Sequence, residues 1–140
     1  MNPILRNILA VIIGWLVGSF VNMGLIMAGH KIVPINGVDI NDMDAMAQVM
    51  PTLDAKYFIF PFLAHALGTF VGALIAASIA VSHKMKFALA IGVLFLIGGI
   101  MVNYMLSGPT WFTIADILLA YIPMAWLGGT LAVKRTSSST

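Results

Sequence analysis

Four polar side chains interrupt otherwise apolar stretches of this chain: the carboxylate of Asp116, the imidazole of His65 and the carboxamides of Asn22 and Asn103. A carboxylate and an imidazole can pair as ions or pass a proton between them, and each carboxamide supplies both donors and an acceptor. Together they have the chemistry to bind an ion, a proton or a small polar solute. The same His and Asp could serve as a general acid–base pair towards a lipid or quinone headgroup, although nothing in their spacing requires it.

Other chemistries lack the residues. There is no cysteine, so disulfides, thiolate metal sites and thiol nucleophiles are excluded. His30 and His83 flank the apolar stretches, which leaves His65 alone inside one and gives no facing pair for a haem. One His, one Asp and two Asn do not make a closed zinc site. Asp39-x-Asn41-x-Met43 begins like a calcium loop but then lacks the third oxygen ligand and the turn glycine. Met43, Met46 and Met50 have helical spacing, and thioethers suit Cu(I), yet Met is far more often a flexible filler of apolar surfaces. There is no Ser/His/Asp signature and no phosphate-cradling glycine loop. No catalytic residue, metal ligand or cofactor is therefore assigned, and the reading leans away from an enzyme.

The elements that must position the four side chains follow from composition. Of 140 residues, 61% are hydrophobic and 9% charged, against roughly 25% charged in an ordinary soluble domain. A soluble fold of this size could not hide so much apolar surface, so lipid must cover it. The net charge of +2 is too small to suggest nucleic acid as a partner. Four apolar runs, 8–29, 57–82, 87–106 and 111–133, approach or exceed the roughly 20 residues that cross a hydrocarbon core. The first exceeds a signal-peptide h-region and reads as a retained helix. The fold class is an all-α integral membrane protein, a four-transmembrane-helix bundle over residues 1–133, with 134–140 a disordered polar tail.

Charge orients the bundle. Arg6, Lys84, Lys86, Lys134 and Arg135 fall on one side; Lys31 and Lys56 fall on the other, outnumbered by Asp39, Asp42, Asp44 and Asp54. Cytoplasmic loops are enriched in Lys and Arg, which places both termini in the cytoplasm and the chain in the cell inner (plasma) membrane. The connections 83–86 and 107–110 are tight turns. The outer loop, 30–56, is long enough to hold structure, and Asn41 or Asp42 could cap a short helix over about 42–50.

Helix packing is written in small residues. Ala64, Gly68, Gly72, Ala76 and Ala80 make a ladder on the second helix, and Gly14 and Gly18 a shorter one on the first. Such stripes let backbones approach within the chain, or dock a second copy or a larger membrane complex. Helices 1 and 3 share a faint repeat, Gly18-Ser-Phe-Val21-Asn22 and Gly99-Ile-Met-Val102-Asn103. Pro123 is expected to kink the fourth helix and free a carbonyl near residue 119.

At 1.5 Å per residue, Asn22, His65, Asn103 and Asp116 lie about 10, 12, 5 and 8 Å below the outer ends of their helices. All four spans thus place a polar group in one slab of the outer half, and Asp116 is expected to face inward because hydrocarbon does not tolerate it. These residues either glue the helices together or form an outward-facing pocket that binds or passes a small polar solute or ion. A non-catalytic accessory subunit of a membrane complex is the competing class, and a membrane enzyme the third.

Overall fold

The computed structural model describes residues 2–138, which form helices and turns and contain no β-strand. The helices are α1 (Pro3–Ile32), α2 (Met43–Val49), α3 (Ile59–Ile79), α4 (Lys84–Leu106), α5 (Thr110–Leu119) and α6 (Ile122–Ser137), with single 3-10 turns at Met50–Thr52 and Ala55–Phe58. Four stretches are long and apolar enough to cross a membrane: Pro3–Ile32, Ala55–Ile79, Lys84–Leu106 and Thr110–Ser137. The chain is a small membrane-embedded helical bundle.

A few polar side chains set where the helices start and stop. The Asn2 side chain accepts the Ile4 N–H at 2.9 Å, and Pro3 fits the first helical position, so α1 begins five residues before the apolar run at Ile8. Asp42 caps α2 by accepting from Asp44 and Ala45 at 3.1 and 3.0 Å. The second span stops at Ile79, short of the expected Ser82, because its end is tied to other elements. Arg6 Nε donates to Ile79 O at 2.8 Å, Lys84 Nζ to Ala80 O at 2.9 Å, and Asn7 Oδ1 takes the Val81 N–H at 3.0 Å. Cations at a helix C-terminus also meet the negative end of its dipole. The same preference operates in α6, where Lys134 and Arg135 sit in the last turn. The polar segment expected to be disordered from Lys134 is helical to Ser137, and Ser139 and Thr140 lie outside the described residues.

The fourth span departs most from expectation. Instead of one kinked helix it is two, α5 and α6, separated at Ala120 and Tyr121. Pro123 is at the second position of α6, where its missing N–H costs little, and Tyr121 takes φ −114 and ψ −79, displaced from ideal helical values.

At the centre is α3, which packs against α1, α4 and α6. Its small-residue ladder is buried within the chain, with Ala64 and Ala76 at 0% exposure. A Cβ on Gly14 would come within 2.6 Å of Gly72 O, and one on Gly18 within 2.6 Å of Gly68 O, so only glycine permits this backbone approach. The docking surface expected from these two stripes is thus taken up by packing of α1 on α3. Below the polar slab the interior is closed by Ala73, Ala76, Ala77, Ala88, Ile91, Ala125 and Ala132. At the opposite end Met50 joins Phe58 and Phe112 in a second cluster, with Met46 against it, so these methionines act as apolar filler under α2.

Candidate functional site

Asp116 lies on α5 with 0% exposure. Its neighbours on α5 are mostly apolar, and a carboxylate there costs several kcal/mol unless it is hydrogen-bonded. Three donors meet it. His65 Nδ1 of α3 lies 2.8 Å from Oδ1. On Oδ2, Asn103 Nδ2 of α4 donates at 3.0 Å and the Tyr121 hydroxyl at 2.8 Å. Three spans therefore close on one side chain.

The second layer orients the first. Asn103 gives its other amide hydrogen to Gly99 O at 3.0 Å, while its carbonyl accepts from Thr113 Oγ1 at 3.2 Å. Thr113 is three residues before Asp116, on the same face of α5. This fixes which way the Asn103 amide points and aims its donor at the carboxylate. The Tyr121 ring stacks on His65, with centroids 5.7 Å apart and planes inclined by 30°. A Cβ on Gly99 would run into the Tyr121 hydroxyl and ring, so this glycine makes the space into which the phenol reaches.

Of the four residues singled out from sequence, His65, Asn103 and Asp116 form one hydrogen-bonded cluster, and Asn22 stands apart from it. Asn22 packs on Gly68: a Cβ there would be 2.9 Å from that of Asn22. Its Oδ1 is buried without a hydrogen-bond partner, and so is Thr69 Oγ1, on a residue of 0% exposure. The shared Gly-x-x-Val-Asn pattern thus leads to unlike environments for Asn22 and Asn103.

Tyr121 and Thr113 are the members that sequence reasoning missed. Five residues separate Tyr121 from Asp116, which in a continuous helix puts their side chains about 140° apart. Only the break before Pro123 turns the phenol back. The available signal was a tyrosine two residues before a mid-span proline, because buried tyrosine needs a partner for its hydroxyl.

Chemically, the cluster pins one face of an imidazole. With Nδ1 held by Asp116, Nε2 has no hydrogen-bond partner among the described residues, and the side chain keeps 14% exposure. Gly68, which carries Asn22 against it, and Thr69 follow His65 within about one turn of α3. His65 and Thr69 thus share about one turn of α3, and Asn22 of α1 packs against that turn at Gly68. Among the described residues no three His, Cys, Asp or Glu side chains gather as a metal site. The aromatic groove on the outside of the bundle, between Phe58, Phe62, Trp111 and Leu119, is apolar and does not include Asp116.

Comparison with protein-family models, with curated proteins and with solved structures finds no match to this chain in any of the three. The functional reading therefore rests on the site itself.

Proposed function

We propose that this protein binds a small polar solute or ion within the membrane, at the edge of the cluster formed by His65 Nε2, Asn22 and Thr69. The carrying observation is the division of labour around His65. Asp116 holds Nδ1, Asn103 and Tyr121 complete the carboxylate, and the opposite ring nitrogen is left for a ligand. Two further polar atoms, Asn22 Oδ1 and Thr69 Oγ1, have no partner among the described residues and belong to residues on or against the same turn of α3, where buried polar groups are normally satisfied. Asp116 and Asn103 then belong to the site as positioning residues.

Binding is favoured over passage. Towards the end that carries the termini, the interior is filled by alanines and Ile91, which offers no polar step for a solute to continue. A second reading draws on the Asp116–His65 pair alone: an imidazole oriented by a carboxylate is also a general base, and its substrate would be a hydroxyl-bearing headgroup.

The test uses the full chain, labelled with 15N-histidine, in lipid nanodiscs. Sodium, potassium, ammonium, glycerol and a short-chain hydroquinone are titrated in turn. One class is expected to move the His65 Nε2 resonance and raise the melting temperature, and His65→Gln to abolish that stabilisation. If every solute that stabilises the wild type stabilises His65→Gln equally, the reading is wrong. Conversion of the hydroquinone or of a lipid would favour the general-base reading.

A further inference from the structure

The end of the bundle that carries the termini has a second feature, independent of the polar cluster. A groove of about 510 Å³ runs along the first three turns of α1 beside the start of α4. Ile4, Ile8, Val11 and Ile12 form one wall, Phe87 faces them, and Asn7 is its one polar lining residue. Ile4, Ile8 and Ile12 remain 69, 52 and 46% exposed, so the groove opens sideways, towards lipid. Its long, apolar shape suits an acyl chain.

The charge around it is one-sided. Arg6, Lys84, Lys86, Lys134 and Arg135 all lie at this end, with His83. No acid accompanies them: Asp39, Asp42, Asp44 and Asp54 are in the connection at the other end, and Asp116 is inside the bundle. Arg6 and Lys84 already hold carbonyls at the end of α3. Lys86 is exposed, makes no such bond among the described residues, and directly precedes the groove residue Phe87.

We infer that this groove is a binding site for an anionic phospholipid, one acyl chain lying between α1 and Phe87 and the phosphate meeting Lys86. A zwitterionic lipid could fill the same apolar wall but would gain little from the cations. Each Lys or Arg near an anionic headgroup is worth about a five-fold change in affinity.

Native mass spectrometry of the full chain in detergent, offered equal amounts of palmitoyl-oleoyl phosphatidylglycerol and phosphatidylcholine, tests this. The first lipid retained is expected to be phosphatidylglycerol, by several-fold. Lys86→Gln should reduce that preference about five-fold, while Lys31→Gln, at the opposite end, should leave it unchanged. Ile8→Trp, an exposed position that fills the groove, should lower retention of both lipids. Equal retention of the two lipids by the wild type, or a Lys86→Gln protein that keeps its full preference, would overturn the site. So would an equal loss in Lys31→Gln, which would mark the preference as a bulk charge effect.

Discussion

The Tyr121 hydroxyl donates to Asp116 Oδ2 at 2.8 Å although the two residues are only five apart in one span. A regular helix would point them about 140° away from each other. The interruption at Ala120 and Tyr121 is thus what completes the coordination of the buried carboxylate, and α5 and α6 behave as two elements joined by that bond. Tyr121→Phe keeps the ring against His65 and removes only the donor. Leaving a buried acceptor short of one partner costs about 1–3 kcal/mol, which should appear as a lowered unfolding midpoint in detergent. An unchanged midpoint would mean that the phenol is not a necessary partner.

Gly99 and Tyr121 should be energetically coupled. A methyl at position 99 would occupy the space of the phenol hydroxyl and ring. Gly99→Ala is therefore expected to destabilise by about 1–3 kcal/mol through overpacking. In the double variant with Tyr121→Ala both the hydroxyl and the ring are gone, and the two losses should fail to add by more than about 0.5 kcal/mol. Additive losses would show that Gly99 matters only to its own helix.

Hydropathy alone made the four spans legible, because twenty apolar residues in a row have few other uses. The inward turn of Asp116 followed from the cost of exposing it to hydrocarbon. What composition could not give was the partner list. Tyr121 was hidden by its five-residue spacing, and Thr113 by its neutrality. Asn22 was placed in the cluster because it shares a depth with Asp116. Depth does not fix azimuth, and Asn22 faces Gly68 instead. The early end of α3 was hidden for a related reason: Arg6 and Asn7, which tie it off, are more than seventy residues away in sequence.

Ser107 ends α4 in the left-handed region at φ 49, a conformation that glycine adopts without steric cost. Ser107→Gly should stabilise the bundle by up to about 1 kcal/mol, since the left-handed penalty of an L-residue, about 1–2 kcal/mol, is partly offset by the greater freedom of glycine when unfolded. Thermal unfolding in detergent reads this directly. A loss of stability would mean that the serine side chain contributes more than its backbone costs.

In the connection before α2, Asp39 accepts from the backbone and side-chain nitrogens of Asn41 at 2.9 and 3.0 Å. The backbone N–H bond, then the side-chain one, holds its carboxyl below the usual value of 3.8. For an acid with a depressed folded value, the stabilisation is complete above the unfolded value and fades as the pH falls through the folded one. The Asp39–Asn41 turn should therefore be intact at neutral pH and open only below about pH 3.8. A carbon-detected NMR titration should give Asp39 a midpoint below 3.8, with the Asn41 amide moving in step. Asp39→Asn should abolish the pH response of Asn41.

Asn22 offers a test whose sign separates structural glue from a binding edge. Its carbonyl is buried with no partner, and such a group is a liability of about 1–3 kcal/mol in a protein that has nothing to put there. Asn22→Leu, close in volume and apolar, should therefore leave the ligand-free bundle as stable as the wild type or more so. It should also remove the stabilisation by whichever solute moves the His65 resonance, and Thr69→Val should act in the same direction. If Asn22→Leu weakens the empty protein by as much as loss of a buried hydrogen bond and leaves solute binding untouched, then Asn22 serves the packing of α1 on α3. The ligand edge would in that case reduce to His65 and Thr69.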